Sequence, residues 1–133
     1  MGQRREFGLP SADEEFLVQY GLPWETVING SRWVLIHDFP APPGYEQGMV
    51  SIALRIESGY PVTQLDMVYV HPHLQRRDGK PIPKTNAGQA LEGKTWQRWS
   101  RHRSAENPWR PGVDGIETHV YLVEDWFSRE FER

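Results

Sequence analysis

Residues 24–39 read WETVINGSRWVLIHDF, two apolar runs on either side of an Asn-Gly pair. Asn29-Gly30 is a strong signal for a two-residue hairpin turn, because both residues tolerate the positive φ angles that such a turn requires. Trp24–Ile28 and Trp33–Phe39 are therefore predicted to be the two antiparallel strands of a hairpin. This hairpin makes an antiparallel sheet the centre of the expected fold.

Two more strands are predicted downstream of the hairpin. Val50–Glu57 alternates apolar residues with small or polar ones, which is the period of a half-buried strand. Met67–Val70 is a fourth, short apolar run. Residues 40–48 are a loop rich in proline and glycine, and residues 74–93 are predicted to be a long, irregular polar loop. Consecutive strands of this kind favour a four-stranded antiparallel meander.

Helices are predicted at both ends of the meander. Ser11 to Glu14 fits a capping box, with Ser11 as the N-cap of a helix that ends at Gly21. Asp114 to Glu117 fits a second capping box. The helix that follows carries an apolar stripe: Ile116, Val120, Val123, Phe127 and Phe131. We therefore expect an α+β fold with an N-terminal and a C-terminal helix packed on the sheet.

Composition narrows the classes of function. The chain has 133 residues, which suits a single domain over 1–133. Its net charge of −3 argues against nucleic-acid binding, despite the basic residues of segment 98–103. No apolar run reaches the roughly 18 residues that a membrane-spanning helix needs. Because the first residues lack the apolar core of a secretory signal, a cytoplasmic location is expected.

The chain contains no cysteine. Disulfides, thiolate metal ligands and cysteine nucleophiles are therefore excluded. Any covalent acyl chemistry has to use another nucleophile, and no cofactor is expected.

Three short motifs occur in the order found in ubiquitin-conjugating enzymes. Tyr60-Pro61 resembles the Tyr-Pro turn of that family, and His71-Pro72-His73 resembles its His-Pro-Asn motif. Trp109-Arg110-Pro111 resembles the Trp-x-Pro that follows the catalytic cysteine. The run GKTWQRWSRH at residues 93–102, with Asp66-Met67 ahead of it, is more specifically similar to the prokaryotic ubiquitin-conjugating-like family E.

This resemblance covers about residues 12–130 and implies a ubiquitin-conjugating-type fold. It also implies a transferase role in a bacterial ubiquitin-like modification pathway, of the kind encoded in antiviral defence operons. The implied partners are a ubiquitin-like protein and the activating enzyme that delivers it. A JAB-type peptidase encoded in the same operon is a further implied partner.

The sequence departs from the family where the chemistry would occur. Counting back from Trp109 places the family's cysteine position at Arg101, or at Ser100 if one residue is inserted. An arginine cannot carry an acyl group, whereas a serine can when a base lies within hydrogen-bond reach. His102 is the candidate base, because residues i and i+2 of an extended segment face the same side. His73 replaces the motif's asparagine, whose amide the resemblance implies as an oxyanion donor.

The expected catalytic residues are therefore Ser100 as the acyl acceptor, His102 as its base, and His73 as a second imidazole or oxyanion donor. The product would be an oxyester, which is less reactive toward amines than a thioester. Four further residues are expected to shape the site or to bind there: Trp109, Asp114, Arg101 and His71.

Three alternatives remain open. Residues 96–102 could form an aromatic–cation segment in a catalytically inactive module that holds the ubiquitin-like protein or the activating enzyme. A serine or alanine could stand in place of a native cysteine, and the positions concerned are Ser100, Ala87, Ala90 and Ala105. A zinc site could form from His71, His73, His102 and Asp78, although no set of three close ligands can be identified from the sequence.

Overall fold

The computed structural model describes residues 3–132 of the protein. These residues form two α-helices, six strands and a short 3-10 helix. In chain order they are α1 Ser11–Tyr20, β1 Trp24–Asn29, β2 Ser31–Pro40, β3 Met49–Ile56, β4 Val68–His71, β5 Gly88–Leu91, β6 Lys94–Trp99, α2 Ile116–Arg129 and the 3-10 helix Glu130–Glu132. Neither α-helix of this described part combines the length and the hydrophobicity needed to cross a bilayer.

The strands form one antiparallel sheet in the order β1-β2-β3-β4-β6-β5. The prediction of an α+β fold built on an antiparallel sheet is confirmed. The first four strands lie within two residues of their predicted ranges. The first hairpin turns at Gly30, whose φ angle is 73°.

The predicted four-stranded meander is wrong in its number of strands, because residues 74–93 are not one irregular loop. β5 and β6 form a second hairpin, and β6 pairs with β4. The turn of this hairpin is Glu92-Gly93, with φ angles of 55° and 74°, so a glutamate stands where an asparagine would have marked the turn. β5 is also largely exposed, and its sequence GQAL lacks an apolar alternation.

The sheet buries side chains on both faces. On one face α1 and α2 pack against the strands and form the main core, which includes Leu17, Ile36 and Val123. On the other face a smaller aromatic cluster surrounds Trp33, whose ring meets that of Tyr69 edge to face at 5.1 Å. Burial on both faces explains why β2 contains a continuous apolar run instead of a strict alternation.

The first helix lies where it was predicted, but its capping differs. α1 begins at Ser11 itself, so this residue is not the N-cap. Glu14 Oε2 instead accepts a hydrogen bond from the N–H of Leu9 at 3.1 Å. The helix ends at Gly21 as predicted, because the left-handed conformation there, with φ 88°, suits glycine.

The second helix is capped from a distant part of the chain. The N–H of Ile116 donates to Asp13 Oδ1, on α1, at 3.2 Å. Asp114, the predicted cap, instead accepts a hydrogen bond from the N–H of Arg110 at 2.7 Å. The predicted apolar stripe of α2 faces the main core, with Ile116, Val120, Val123 and Phe127 fully buried.

Candidate active site

Two segments of the chain meet where β4 begins and β6 ends. Val68, the first residue of β4, pairs with Trp99, the last residue of β6. Asp66 and Met67 therefore lie beside the residues that follow β6. The N–H of Met67 donates to the carbonyl of Arg101 at 3.2 Å, which joins the two segments just beyond the sheet.

Ser100, His102 and Asp66 form a chain of hydrogen bonds at this junction. Ser100 Oγ lies 3.3 Å from His102 Nε2. His102 Nδ1 lies 2.9 and 3.1 Å from the two carboxylate oxygens of Asp66. Since a carboxylate only accepts hydrogen bonds, the contact with Asp66 places a proton on Nδ1, and in the neutral ring Nε2 then offers its lone pair to the serine hydroxyl. This is the arrangement in which a histidine activates a hydroxyl nucleophile and a carboxylate orients the histidine.

The junction is open to solvent. The side chain of His102 is 59% exposed and that of Asp66 is 35% exposed, while Ser100 is half-buried. The contact between Ser100 and His102 therefore lies at an exposed part of the surface. The predicted pair of Ser100 and His102 is brought together in the way that their i, i+2 spacing suggests.

The backbone donors next to Ser100 are already in use. The N–H of Ser100 donates to the carbonyl of Lys84 at 3.1 Å, and the N–H of Arg101 donates to that of Trp99 at 3.0 Å. These two amides are the ones that a serine nucleophile would most simply use to stabilise an oxyanion. In this conformation neither of them is free to do so.

A cavity of about 370 Å³ lies on one side of His102. Part of its wall comes from the coil that follows β6, including Arg103, Ser104 and Asn107. The rest comes from α2, including Leu122 and Trp126. The cavity gives the junction a space in which a second group can bind next to the imidazole.

Arg101, predicted at the family's cysteine position, is anchored to its surroundings. Its guanidinium lies over the ring of Trp99 at 4.9 Å and donates to the carbonyl of Pro83 at 3.0 Å. It also pairs with Glu130, which is buried, at 3.3 Å. Arg101 therefore fixes the backbone next to Ser100 and has the cation–π contact expected for this segment.

Trp109 and Asp114 shape the coil between β6 and α2. The indole N–H of Trp109 donates to the carbonyl of Pro61 at 3.0 Å, which ties the Trp-x-Pro motif to the Tyr-Pro turn. Asp114 accepts the N–H of Arg110 and closes a turn just before α2. Both residues lie where they can set the path of the coil, and their role in shaping the site stays a prediction.

The two histidines of the His-Pro-His motif are not hydrogen-bonded to the Ser100–His102 pair. His71 lies against Trp96 at 5.6 Å, and its Nδ1 is buried with no partner among residues 3–132. His73 is exposed, and the structure gives its ring no hydrogen bond within the same range. The zinc ligands considered above are not assembled, because Asp78 is bound by Arg76 and His102 by Asp66. Within the described chain no group of three or more His, Asp or Glu residues could hold a metal ion.

The sequence did not reveal the role of Asp66. Asp66-Met67 was noted as part of the family resemblance, but nothing in the sequence linked Asp66 to His102. The link depends on the pairing of β4 with β6, and β6 was not predicted. A strand assignment for KTWQRW would have placed the residue before β4 beside the residue after β6.

A second serine–histidine–carboxylate set lies on the opposite face of the sheet from the helices. His37 Nδ1 lies 2.8 Å from Ser51 Oγ, and its Nε2 lies 2.7 Å from Glu25. The set spans β1, β2 and β3, and Ser51 lies opposite His71 of the His-Pro-His motif in the pairing of β3 with β4. Glu25 is also bound by Arg4 at 2.8 Å, so its charge is shared between two partners.

Comparison with known proteins gives one match. The model of the family described as prokaryotic E2 family E matches residues 9–130, nearly the whole chain. No curated protein and no solved structure matches the chain. From the extent of the family match, together with the motifs above, we conclude that the chain belongs to prokaryotic E2 family E.

Proposed function

We propose that this protein accepts the C-terminus of a ubiquitin-like protein from an activating enzyme and carries it on Ser100 as an oxyester. The observation that supports this is the hydrogen-bonded chain from Ser100 through His102 to Asp66. Family membership supports the conjugating role in a prokaryotic ubiquitin-like pathway. A JAB-type peptidase that removes the modifier is a proposed further partner.

The acyl transfer follows from the positions of the protons. Ser100 Oγ attacks the carbonyl carbon of the thioester that links the modifier to the activating enzyme, and His102 Nε2 takes the hydroxyl proton. The tetrahedral intermediate then collapses, the carbon–sulfur bond breaks, and the departing sulfur takes the proton from His102. Asp66 accepts the hydrogen bond from Nδ1–H throughout, without taking the proton, and stabilises the transient imidazolium. The product is an ester between Ser100 Oγ and the C-terminal carbonyl of the ubiquitin-like protein.

Discharge of the oxyester uses the same base. An oxyester reacts with amines more slowly than a thioester, so the amine that receives the modifier needs deprotonation as it attacks. His102 Nε2 is free to take that proton once Ser100 is acylated. The nearest backbone amides are occupied, and His73 lies beyond the end of β4 whereas Ser100 lies beside its start. We therefore propose His73 as the oxyanion donor only with a rearrangement of the segment that follows β4. Loss of an oxyanion donor typically slows such reactions by about 10²–10³-fold.

The test is an adduct assay with the cognate activating enzyme, its ubiquitin-like protein and ATP. We expect a covalent adduct that resists thiols and is cleaved by hydroxylamine. Ser100→Ala should abolish it. Asp66→Asn should slow its formation by about 10²–10⁴-fold, because His102 then loses the group that orients it and stabilises its charge. His73→Ala should slow it if His73 donates to the oxyanion.

Ser51 provides the matched control. Ser51 contacts His37 as Ser100 contacts His102, but it is not the proposed acyl acceptor. The adduct should therefore form at the wild-type rate in Ser51→Ala. An adduct that survives in Ser100→Ala would overturn the proposal. If the adduct is lost in Ser51→Ala but not in Ser100→Ala, the acyl acceptor is Ser51, on the opposite face of the sheet.

A second candidate function is a non-catalytic module that binds the ubiquitin-like protein or the activating enzyme. The occupied N–H groups of Ser100 and Arg101 favour it, because they leave no preformed backbone oxyanion site. Under this hypothesis the wild-type protein binds its partners in a pull-down but forms no adduct with ATP. Ser100→Ala then binds them equally well.

A further inference from the structure

Arg103, three residues after Ser100, is a buried cation that makes no hydrogen bond within residues 3–132, although Asp114 lies within ion-pair distance. Its side chain is 6% exposed, and its Nε and Nη2 atoms are buried without a partner among residues 3–132. Its Nη1 lies 3.8 Å from Asp114 Oδ2, which is beyond hydrogen-bond distance. The guanidinium stacks on the ring of Trp109 at 5.0 Å. A buried charge without its hydrogen bonds is costly, so this residue calls for a functional explanation.

The surroundings of Arg103 favour an anionic partner. Arg103 lines the cavity beside His102. Across the cavity, Arg129 is neutralised by Asp125 at 2.7 Å, so that pair adds no net charge. His119, close enough to interact electrostatically with Arg103, is kept neutral because burial lowers its pKa to about 4. Of the arginines that line this cavity, Arg103 therefore has the longest ion pair, with Asp114 at 3.8 Å, and its Nε and Nη2 find no acceptor among the described residues.

Access to the guanidinium requires a local movement of the coil that carries it. Within residues 102–109 the one described backbone–backbone hydrogen bond joins the N–H of Asn107 to the carbonyl of Ser104 at 3.0 Å. Side chains, not a hydrogen-bond ladder, therefore hold this segment in place. Ser104 and Asn107 are exposed and both line the cavity. The coil of residues 102–109 can therefore shift without breaking helix or strand structure.

We propose that Arg103 binds a carboxylate that enters this cavity next to Ser100. The two oxygens of a carboxylate match two neighbouring N–H groups of a guanidinium, which is the bidentate geometry that arginine favours.

The inference rests on the proposed function for the identity of the ligand. The carboxyl group of the modifier is consumed as the ester on Ser100, so a separate carboxylate in the cavity belongs to the acyl acceptor. The acceptor class is therefore an amine that bears a nearby carboxylate. In its reaction the amine nitrogen bonds to the ester carbon, its proton passes through His102, and the Ser100 oxygen leaves as the hydroxyl.

Binding is tested without any acylation. The wild-type protein is titrated with N-acetylglycine and, as the matched neutral probe, with N-acetylglycinamide, and the backbone amide signals of residues 101–107 are followed by NMR. We expect the carboxylate to bind at least about tenfold more tightly than the amide, as a charge-assisted pair should. Equal affinity for the two probes would overturn the proposal.

Variants separate a binding role from a structural one. Arg103→Met should lose the preference for the carboxylate. Its melting temperature is measured alongside, because Asp114 loses its ion-pair partner in this variant. Arg129→Met, which removes an exposed arginine of the same cavity, should keep the preference. A marked loss of stability in Arg103→Met, with carboxylate binding retained by Arg103→Lys and Arg103→Met alike, would make Arg103 structural.

The proposed function can fail independently of this site. Ser100→Ala should bind N-acetylglycine as the wild type does, although it cannot form the adduct. Where the adduct does form, glycine should discharge it faster than glycinamide. Equal discharge rates would overturn the assignment of the carboxylate to the acceptor.

Discussion

The two serine–histidine–carboxylate sets of this protein differ in how the carboxylate is used. Asp66 makes its described hydrogen bonds and ion pair with His102, so its charge is available to stabilise an imidazolium there. Glu25 is shared between His37 and Arg4. Burial would raise the pKa of Glu25, but the hydrogen bonds from Arg4 and His37 outweigh it and lower the pKa to about 2. Glu25 is thus a firmly ionised partner of Arg4, which suits a structural role for the set that contains Ser51.

One buried histidine, His119, is expected to account for part of the loss of folding stability at acid pH. His119 Nε2 donates to the carbonyl of Met67 at 2.9 Å, and burial lowers its pKa to about 4 from an ordinary value of 6.5. Between those two pH values the unfolded chain binds more protons than the folded chain. The stability that the neutral ring contributes is therefore complete above about pH 6.5 and is lost as the pH falls toward 4.

We expect His119 to account for a loss on the order of 3 kcal/mol in the free energy of unfolding between pH 7 and pH 4. Urea unfolding at pH 7, 5.5 and 4 measures it. His119→Gln can still donate to Met67 but does not titrate, so it should show a shallower pH dependence. His73→Gln, at an exposed histidine, is the control and should follow the wild type. Parallel curves for wild type and His119→Gln would contradict the prediction.

At the scale of helices and strands, Asp13 joins three elements. Its Oδ1 accepts the N–H of Ile116 at the start of α2, and its Oδ2 accepts the hydroxyl of Tyr60 at 2.6 Å. Burial and the bond to Asp13 raise the pKa of Tyr60, which keeps the phenol protonated as a donor. Asp13 packs closely against the residue before α2, since a Cβ at Gly115 would lie 2.8 Å from Asp13 Oδ1. α1, the Tyr-Pro turn and α2 are therefore held by one carboxylate.

Asp13→Ala should lower the free energy of unfolding by about 1–3 kcal/mol, because α2 loses its cap and the Tyr60 hydroxyl loses its acceptor. Chemical denaturation at pH 7 measures the change. Glu15→Ala, on the exposed side of the same helix, should change stability by less than about 0.5 kcal/mol. An Asp13→Ala protein as stable as Glu15→Ala would show that the cap contributes little.

The elements also show where sequence reasoning succeeds and where it fails. β1 to β4 were predictable from their apolar residues and the Asn29-Gly30 turn, α2 from its apolar stripe, and the end of α1 from Gly21. The β5–β6 hairpin was not, since β5 is largely exposed and its turn begins with Glu92. Because β6 was not predicted, the contact between Asp66 and His102 could not be anticipated from the sequence. The cap of α2 was equally hidden, because Asp13 lies 103 residues from Ile116 in the chain.

At the scale of the whole molecule, Glu130 connects the C-terminal end to the active site. Its carboxylate is 2% exposed and pairs with Arg101, next to Ser100, at 3.3 Å and with Arg76 at 3.6 Å. Arg76 also donates to the carbonyl of Glu130 at 2.9 Å. This ion cluster joins the 3-10 helix, the loop after β4 and the end of β6. Such clusters owe their stability to complete pairing.

Glu130→Ala should lower the free energy of unfolding by about 3 kcal/mol, because two largely buried arginines lose the carboxylate that they share. It should also slow adduct formation, because Arg101 holds the backbone beside Ser100. Denaturation and the adduct assay measure the two effects. Glu132→Ala, an exposed neighbour in the same 3-10 helix, should leave both unchanged. Wild-type stability in Glu130→Ala would show that the cluster is not a stabilising unit.

The distribution of the six tryptophans makes the protein its own fluorescent reporter. Trp24, Trp33, Trp96 and Trp99 are 6%, 1%, 3% and 0% exposed, so a collisional quencher such as iodide reaches them poorly. Trp126 is half-buried and lines the cavity beside His102, and Trp109, also half-buried, carries the guanidinium of Arg103 on its ring. The quenchable part of the emission therefore comes mainly from these two indoles. A ligand that binds in the cavity should change the quenching of Trp126 in the unlabelled protein.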